Sequence, residues 1–184
     1  MSFRIVESAV AAEQADALHE ARLLLMLRQQ ADKGDGTVNG ITKLAKMDFL
    51  LRYPLYFERL LKATRKRPPA VVMEPYERDT VESRMIRFRY GPWDRRYRRW
   101  IGLMVAKGLV DSFVSGRTVH VRVTNRGRQL ADAIAHREEF ANLNARTEQV
   151  SKAVGAMSGS GLKDLIYQVV PELMGMSWGE EIQP

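Results

Sequence analysis

The chain has 184 residues, 45% of them hydrophobic, enough for one domain with extensions or for two small ones. It has no cysteine, which excludes a disulfide framework and a thiolate metal site. Net charge is +7, and the excess is concentrated: Arg84, Arg87, Arg89, Arg95, Arg96, Arg98 and Arg99 crowd together against Asp94 alone, while Lys62, Arg65, Lys66 and Arg67 form a second cluster. Such clusters point to a polyanion or an acidic protein partner, or else to a solvated face paired with carboxylates elsewhere. No apolar run approaches the ~18–20 residues of a membrane span. The first residues lack the basic start and unbroken apolar run of a signal peptide, so the expected location is cytoplasmic, with no membrane partner.

In chain order, residues 1–12 are an arm or a short helix. A helix is predicted from Glu13 to about Ala31, with Leu18, Ala21, Arg22, Leu23, Leu24 or Leu25, Met26 and Leu27 on a wide apolar face and Glu13, Asp16, Glu20 and Arg28 polar. Residues 33–36 make a loop without phosphate-loop spacing. The next helix, ITKLAKMDFLLR, puts Ile41, Leu44, Ala45 and Leu51 in the core. Asp48 sits on or near that side and needs a partner, with Arg52 or Lys46 nearest in sequence. Tyr53-Pro54 ends it, and Pro54 suits the first turn of a helix carrying Leu55, Phe57, Leu60 and Leu61. A Pro-containing connector leads to a short helix over 76–84.

Residues 84–135 carry the densest set of local signals. Met85, Ile86, Phe88 and Tyr90 alternate with arginines as in a strand, which Gly91-Pro92 breaks. Asp94 is placed to cap a helix to about Lys107, with Tyr97, Trp100, Ile101, Met104 and Val105 on one stripe and Arg95, Arg98, Arg99 and Gly102 opposite. Gly108 stops it. A hairpin follows: Leu109 to Val114, a Ser115-Gly116 turn, and Thr118 to Val123 with Val119, Val121 and Val123 on a buried face. Thr124 caps a last helix with Leu130 and Ile134 on its apolar side. Helix, Gly-Leu-Val, hairpin, Thr-x-x-Gly, helix is a winged helix-turn-helix pattern. The helix is predicted to run on as far as Val154. A Gly/Ser hinge over 155–161, a short apolar helix from Leu162 to Met174 and a polar tail with Trp178 complete the chain.

The expected fold is thus mostly α with a small antiparallel β wing: an N-terminal helical region (1–67), a connector (68–83), a winged-helix region (84–135) and a C-terminal helical extension (136–184). Candidate contact residues for nucleic acid or a partner are Arg84, Arg87, Arg89, Arg95, Arg98, Arg99, Arg117 and Arg122. Candidate docking residues are Leu162, Leu165, Ile166, Leu173 and Trp178. His19, His120 and His136 lie in three different elements without ligand spacing and read as surface or boundary residues. Neither a nucleophile elbow nor a carboxylate couple is present. No catalytic, cofactor or metal site is expected.

Two stretches, Gly40-ITKLAKMDFLLRYPLYFERLL-Lys62 and Phe88-RYGPWDRRYRRWIGLMVAKGLV with the later Val123-TNRGRQLA, carry a resemblance. Together they resemble the middle component of bacterial ABC-three-component defence systems, the group that includes the small subunit of Lamassu systems. The resemblance covers about residues 15 to 135, and TKLAKMDFLLRYP is its more specific half. The arginine richness of Arg95 to Arg99 and the segment beyond Ala135 are not part of it. It implies a non-catalytic winged-helix accessory subunit that bridges a DNA-sensing SMC-like ATPase and a nuclease-type effector, with DNA met directly or through the complex. The wing and the basic helix are equally compatible with a winged-helix DNA-binding transcriptional regulator.

Overall fold

The computed structural model describes residues 16–32, 34–65, 67–81 and 83–184. The predicted arm, the helix start at Glu13, Lys33 in the loop and Lys66 in the second basic cluster lie outside the described residues. In order, the elements are α1 (Asp16–Ala31), β1 (Thr37–Val38), α2 (Ile41–Arg52), α3 (Pro54–Thr64), β2 (Ile86–Phe88), β3 (Gly91–Trp93) and α4 (Tyr97–Ala106). They continue with β4 (Val110–Ser115), β5 (Thr118–Val123), α5 (Asn125–Ala135), α6 (Ala141–Val154), α7 (Gly159–Val169) and α8 (Glu172–Gly175). The described chain is mostly helical, with one antiparallel sheet ordered β1-β5-β4 and a second made of β2 and β3.

The centre of the molecule is α1, not the segment richest in local signals. Its run Leu23 to Leu27 is buried on every side, as are His19, Glu20 and Arg22, so of the predicted polar residues Glu20 is taken into the core while Asp16 and Arg28 stay half-exposed. A helix buried all round belongs in a core. Helices α4, α5 and α6 and strands β1 and β5 pack around it. Helix α2 is the second axis, packed by α3, α6, α7, β3 and β5. One contiguous cluster of buried apolar residues runs from Leu23 through Phe49, Trp100, Val121 and Val150 to Ile182.

Charged side chains hold these two helices together. Asp48, fully buried, accepts from Arg22 Nε at 2.6 Å and Arg22 Nη2 at 3.2 Å, and from the Tyr97 hydroxyl at 2.6 Å. Arg52 lies 3.6 Å from the same carboxylate and reaches on to Asp94 at 3.2 Å and to the Ser83 carbonyl at 2.5 Å. The partner predicted from sequence proximity is therefore secondary: Arg22, on another helix, holds Asp48, and Lys46 instead donates to its own helix at the Thr42 carbonyl.

Several local expectations change for tertiary reasons. Gly91-Pro92 is not the break: β2 ends at Phe88 in a turn at Arg89-Tyr90, and Gly91-Pro92 begins the returning strand β3, with Arg87 opposite Pro92. Only a 3-10 turn, Pro75–Arg78, forms in the predicted helix over 76–84. Asp94 does not occupy the cap position; its Oδ1 accepts the Arg96 N–H at 3.0 Å while the rest of the carboxylate serves Arg52. Val105 and Leu130, predicted on apolar stripes, are exposed. The wing is wetter than its alternation suggests, since β4 buries only Val110 and β5 fully buries only Val121 and Val123. The long helix predicted to Val154 breaks after Ala135, and a 3-10 turn at Glu138–Phe140 redirects the chain so that α6 lies against α1 and α2. The predicted hinge is anchored: Lys43 Nζ donates to the Gly155 carbonyl at 2.8 Å, and the Ser158 hydroxyl caps α7 through Gly161 N–H at 3.0 Å. The tail is no loose end either, because Gly179, Glu180 and Ile182 bond to the backbone of Met85 and Arg87 beside β2. Thr124 does cap α5, and Gly127 is required there, since a Cβ would lie 2.0 Å from the Leu109 carbonyl oxygen.

Removing one member of a buried charge set leaves the others uncompensated. Asp48→Asn is expected to destabilise the chain by about 3–5 kcal/mol, read from the midpoint of denaturant unfolding. A pH dependence also follows. Burial first, then the charges of Arg22, Arg52 and Arg96, lower His19 to about 3. Folded His19 therefore stays neutral where the unfolded chain binds a proton, and stability falls as pH drops from about 6.5 toward 3. Burial raises the Asp94 carboxyl, but the Arg96 hydrogen bonds and the Arg52 charge outweigh it and hold it at about 2. Its contribution is present above about pH 4 and is lost as pH falls through 2. His19→Phe is expected to flatten the pH–stability curve between 6.5 and 4.5 and to leave the acid limb below 4 in place; an unchanged slope in that variant would assign the upper limb to another group.

Candidate nucleic-acid and partner interface

The arginines that look alike in sequence fall into two sets. Those tied down include Arg99, whose Nε and Nη2 donate to Asp16 Oδ2 at 2.9 and 2.8 Å, while Asp16 Oδ1 accepts from Trp100 Nε1 at 2.9 Å. This lowers the Asp16 carboxyl below the usual range, chiefly through the Arg99 hydrogen bond. Arg87 turns inward, donating from Nε to the Leu173 carbonyl at 2.9 Å with its guanidinium over the Tyr167 ring. Arg96 spans Asp94, the Ser83 hydroxyl and the Trp100 ring. Arg122 pairs with Asp111 at 3.1 Å and lies over Phe113, and Arg84 meets Glu181 at 3.3 Å.

The second set is open. Arg95 and Arg98 are exposed at the start of α4 and make no ion pair among the described residues. Arg117 stands at the turn of the wing between β4 and β5, also exposed. Arg89 rests over the Tyr90 ring. On the outer face of α4, Arg98, Gly102 and Val105 follow at helical spacing, and nothing lies within 4 Å of where a Gly102 Cβ would be. The inner face of the same helix is fixed by Tyr97, Trp100, Ile101 and Met104, all buried. Burial and the neighbouring Asp48 charge push the Tyr97 phenol well above its usual range, so it remains the hydrogen donor to Asp48. The buried charge network thus sets the direction in which Arg95 and Arg98 point.

The predicted docking residues divide as well. Leu162, Ile166 and Leu173 are buried in the chain's own core, and Leu165 packs against it. These four are corrected from docking positions to core positions: α7 places its apolar face on α2 and α3. Trp178 alone stays exposed. His19, predicted at the surface or a boundary, is fully buried and stacks on Trp100 at 4.2 Å between ring centroids. His120 reaches Asn39 Oδ1 at 2.9 Å and stacks on Phe113, and His136 is exposed. Sequence reading passed over the exposed Tyr90 and Met174 and the exposed ring of Phe88; the alternation Phe88–Tyr90 around Arg89 was the available signal.

Among the described residues no group of three or more His, Cys, Asp or Glu side chains is placed to hold a metal ion. No described helix is long and apolar enough to cross a membrane. A small cleft of about 60 Å³ lies between α1, α2 and α6, with apolar Leu18, Leu51, Val81 and Leu143 beside Arg22, Arg52, Glu77 and Arg146. Its acids and bases already pair, Arg146 bidentately with Glu77 at 2.5 and 2.7 Å. The described surface carries unpaired guanidinium groups at Arg95, Arg98 and Arg117.

Charge reversal of the open pair, Arg95→Glu with Arg98→Glu, is expected to move elution from a heparin column to clearly lower salt while leaving the thermal midpoint within about 2 °C, since exposed changes cost little stability. Arg99→Glu is expected to lower the midpoint, because it breaks the Asp16 contact that ties α4 to α1. No family model, curated protein or solved structure matches this chain, so the reading of the interface rests on its own geometry.

Proposed function

We propose that this chain is a non-catalytic winged-helix accessory subunit of an SMC-like ATPase defence complex, bridging the DNA-sensing ATPase and a nuclease-type effector. The observation that carries the winged-helix part is topological. A strand after the first helix pairs with the second strand of the wing, giving the order β1-β5-β4, and α4 runs directly into the hairpin. On that reading α4 is the recognition helix, a role that its exposed Arg98 and Gly102 support. Its outer face carries Arg95 and Arg98, and the open backbone at Gly102 would let a duplex approach closely.

The resemblance supports the subunit assignment, and its more specific half supports it through the fold. In TKLAKMDFLLRYP, Lys43 anchors Gly155, Asp48 and Arg52 build the buried charge set, and Tyr53 donates to the Ile182 carbonyl while accepting the Met85 N–H. That motif is architecture. Recognition is left to the outer surface. A DNA-binding regulator is the second reading, favoured by the same unpaired arginines on α4 and at the wing turn.

Two measurements separate these readings. The subunit reading expects co-elution with an SMC-like ATPase encoded beside it when the two are co-expressed, and elution alone would count against it. It also expects duplex binding without sequence preference and with a steep salt dependence. Removing Arg95 and Arg98 should flatten the slope of log K against log salt by about 2. A protected, palindromic footprint on its own promoter would instead establish the regulator.

A further inference from the structure

The hairpin β2–β3 and the C-terminal tail build a surface that the DNA-facing helix does not use. Phe88 (43% exposed), Tyr90 (53%), Met174 (63%) and Trp178 (67%) stand out from it. Two of them are neighbours, and Trp93 joins them: the Phe88 ring lies 6.4 Å from that of Trp93 and 6.4 Å from that of Trp178. Backbone pairing fixes this neighbourhood. Gly179 N–H donates to the Arg87 carbonyl at 2.7 Å and Arg87 N–H to the Glu180 carbonyl at 2.8 Å, which stitches the tail carrying Trp178 to the strand carrying Phe88. Guanidinium groups flank the rings. Arg89 covers Tyr90, and a shallow cleft of about 230 Å³ beside Trp93 is lined by Arg84, Ile86, Asp94, Arg95 and Arg96, with Arg84 already paired to Glu181. Arg89 and Arg95 make no ion pair among the described residues.

Single exposed aromatics need no explanation, but a contiguous set does. Phe, Tyr, Trp, Met and Arg together are the side chains enriched at the centres of protein–protein interfaces. We propose that this face docks an acidic segment of another polypeptide, with one large apolar side chain packed on the Phe88–Trp178 pair and carboxylates on and around Arg89. Charge selects the occupant. A second copy of this chain would bring its own arginines against these, so like charges oppose self-pairing. A single nucleic-acid strand also meets arginines and rings, but stacking wants open, successive ring faces. Here Phe88 and Trp178 are inclined at 49°. Met174 adds a flexible thioether, which suits an irregular side chain better than flat bases. The inference rests on the partner-holding part of the function proposed above and is independent of its DNA part.

The test uses the full chain, immobilised and panned with a random 16-residue peptide library on phage. The expected consensus has at least two Asp or Glu around one large apolar residue. A synthetic peptide of that sequence should bind at least tenfold more weakly to Trp178→Ala, to Phe88→Ser and to Arg89→Glu, and equally well to Arg98→Glu, which instead weakens duplex DNA binding. All four side chains are exposed, and circular dichroism melting checks that each variant is folded. Failure of the peptide arm with DNA binding intact overturns the docking surface alone; loss of the DNA arm with peptide binding intact overturns the recognition-helix reading alone. No consensus, a consensus without acids, indifference to Trp178 and Arg89, or an oligo(dT) complex abolished by Trp178→Ala would each overturn the proposal.

Discussion

A carboxylate with no access to water decides how this molecule is assembled. Asp48 sits on α2, its main counter-charge Arg22 on α1, and its hydroxyl donor Tyr97 on α4, so one side chain joins three helices. An ion in that position is tolerable only when its lone pairs are filled and its charge is matched. Arg22 and Arg52 match it, Asp94 matches Arg52 in turn, and Arg96 extends the chain to the surface. Burial pushes the Asp48 carboxyl up, but the two guanidinium groups outweigh it and keep it below the usual carboxylate range. Apolar packing alone would let α1, α2 and α4 slide over one another; a directional set of charges permits one arrangement.

That arrangement has consequences at the surface. Because Tyr97 and Trp100 are fixed inward, the opposite side of α4 must present Arg95, Arg98 and Gly102 outward. Because Arg52 takes the Ser83 carbonyl, the connector is held as it enters β2, and the hairpin beyond it carries Phe88 and Tyr90 into view. Tyr53 and Tyr56 then take the carbonyls of Ile182 and Gln183, which brings the tail back along β2. The basic helix face and the aromatic face are thus separate products of one internal network. They differ in chemistry: cations beside an open glycine on the first, rings and a thioether beside guanidinium groups on the second.

The sorting of arginines is the other general point. Every arginine from Arg84 to Arg99 adds the same charge to a linear count, yet Arg84, Arg87, Arg96 and Arg99 are engaged with the chain itself. Engaged guanidinium groups contribute little to holding a partner, since a partner would first have to displace a contact already made. The open groups, Arg89, Arg95, Arg98 and Arg117, are fewer than the charge run suggests and lie on three different structures: a hairpin turn, the start of a helix and the tip of a wing.

Local order was legible in the sequence wherever it depends on neighbours in the chain. The α4 helix with its Tyr97–Trp100–Met104 stripe, the stop at Gly108, the hairpin and the Thr124 cap all follow from spacing, glycine conformation and side-chain capping. What spacing could not reveal was which elements lie at the centre. Helix α1 reads as an ordinary amphipathic helix because Asp16, Glu20 and Arg28 are charged, and only Lys107 and Asp48, distant in sequence, make the burial of Glu20 and Arg22 possible. The same limit misassigned Leu162, Ile166 and Leu173, whose apolar stripe looks identical whether it meets a partner or α2 and α3. Periodicity reports that a face must be covered; tertiary packing alone chooses what covers it, because the covering groups come from anywhere along the chain.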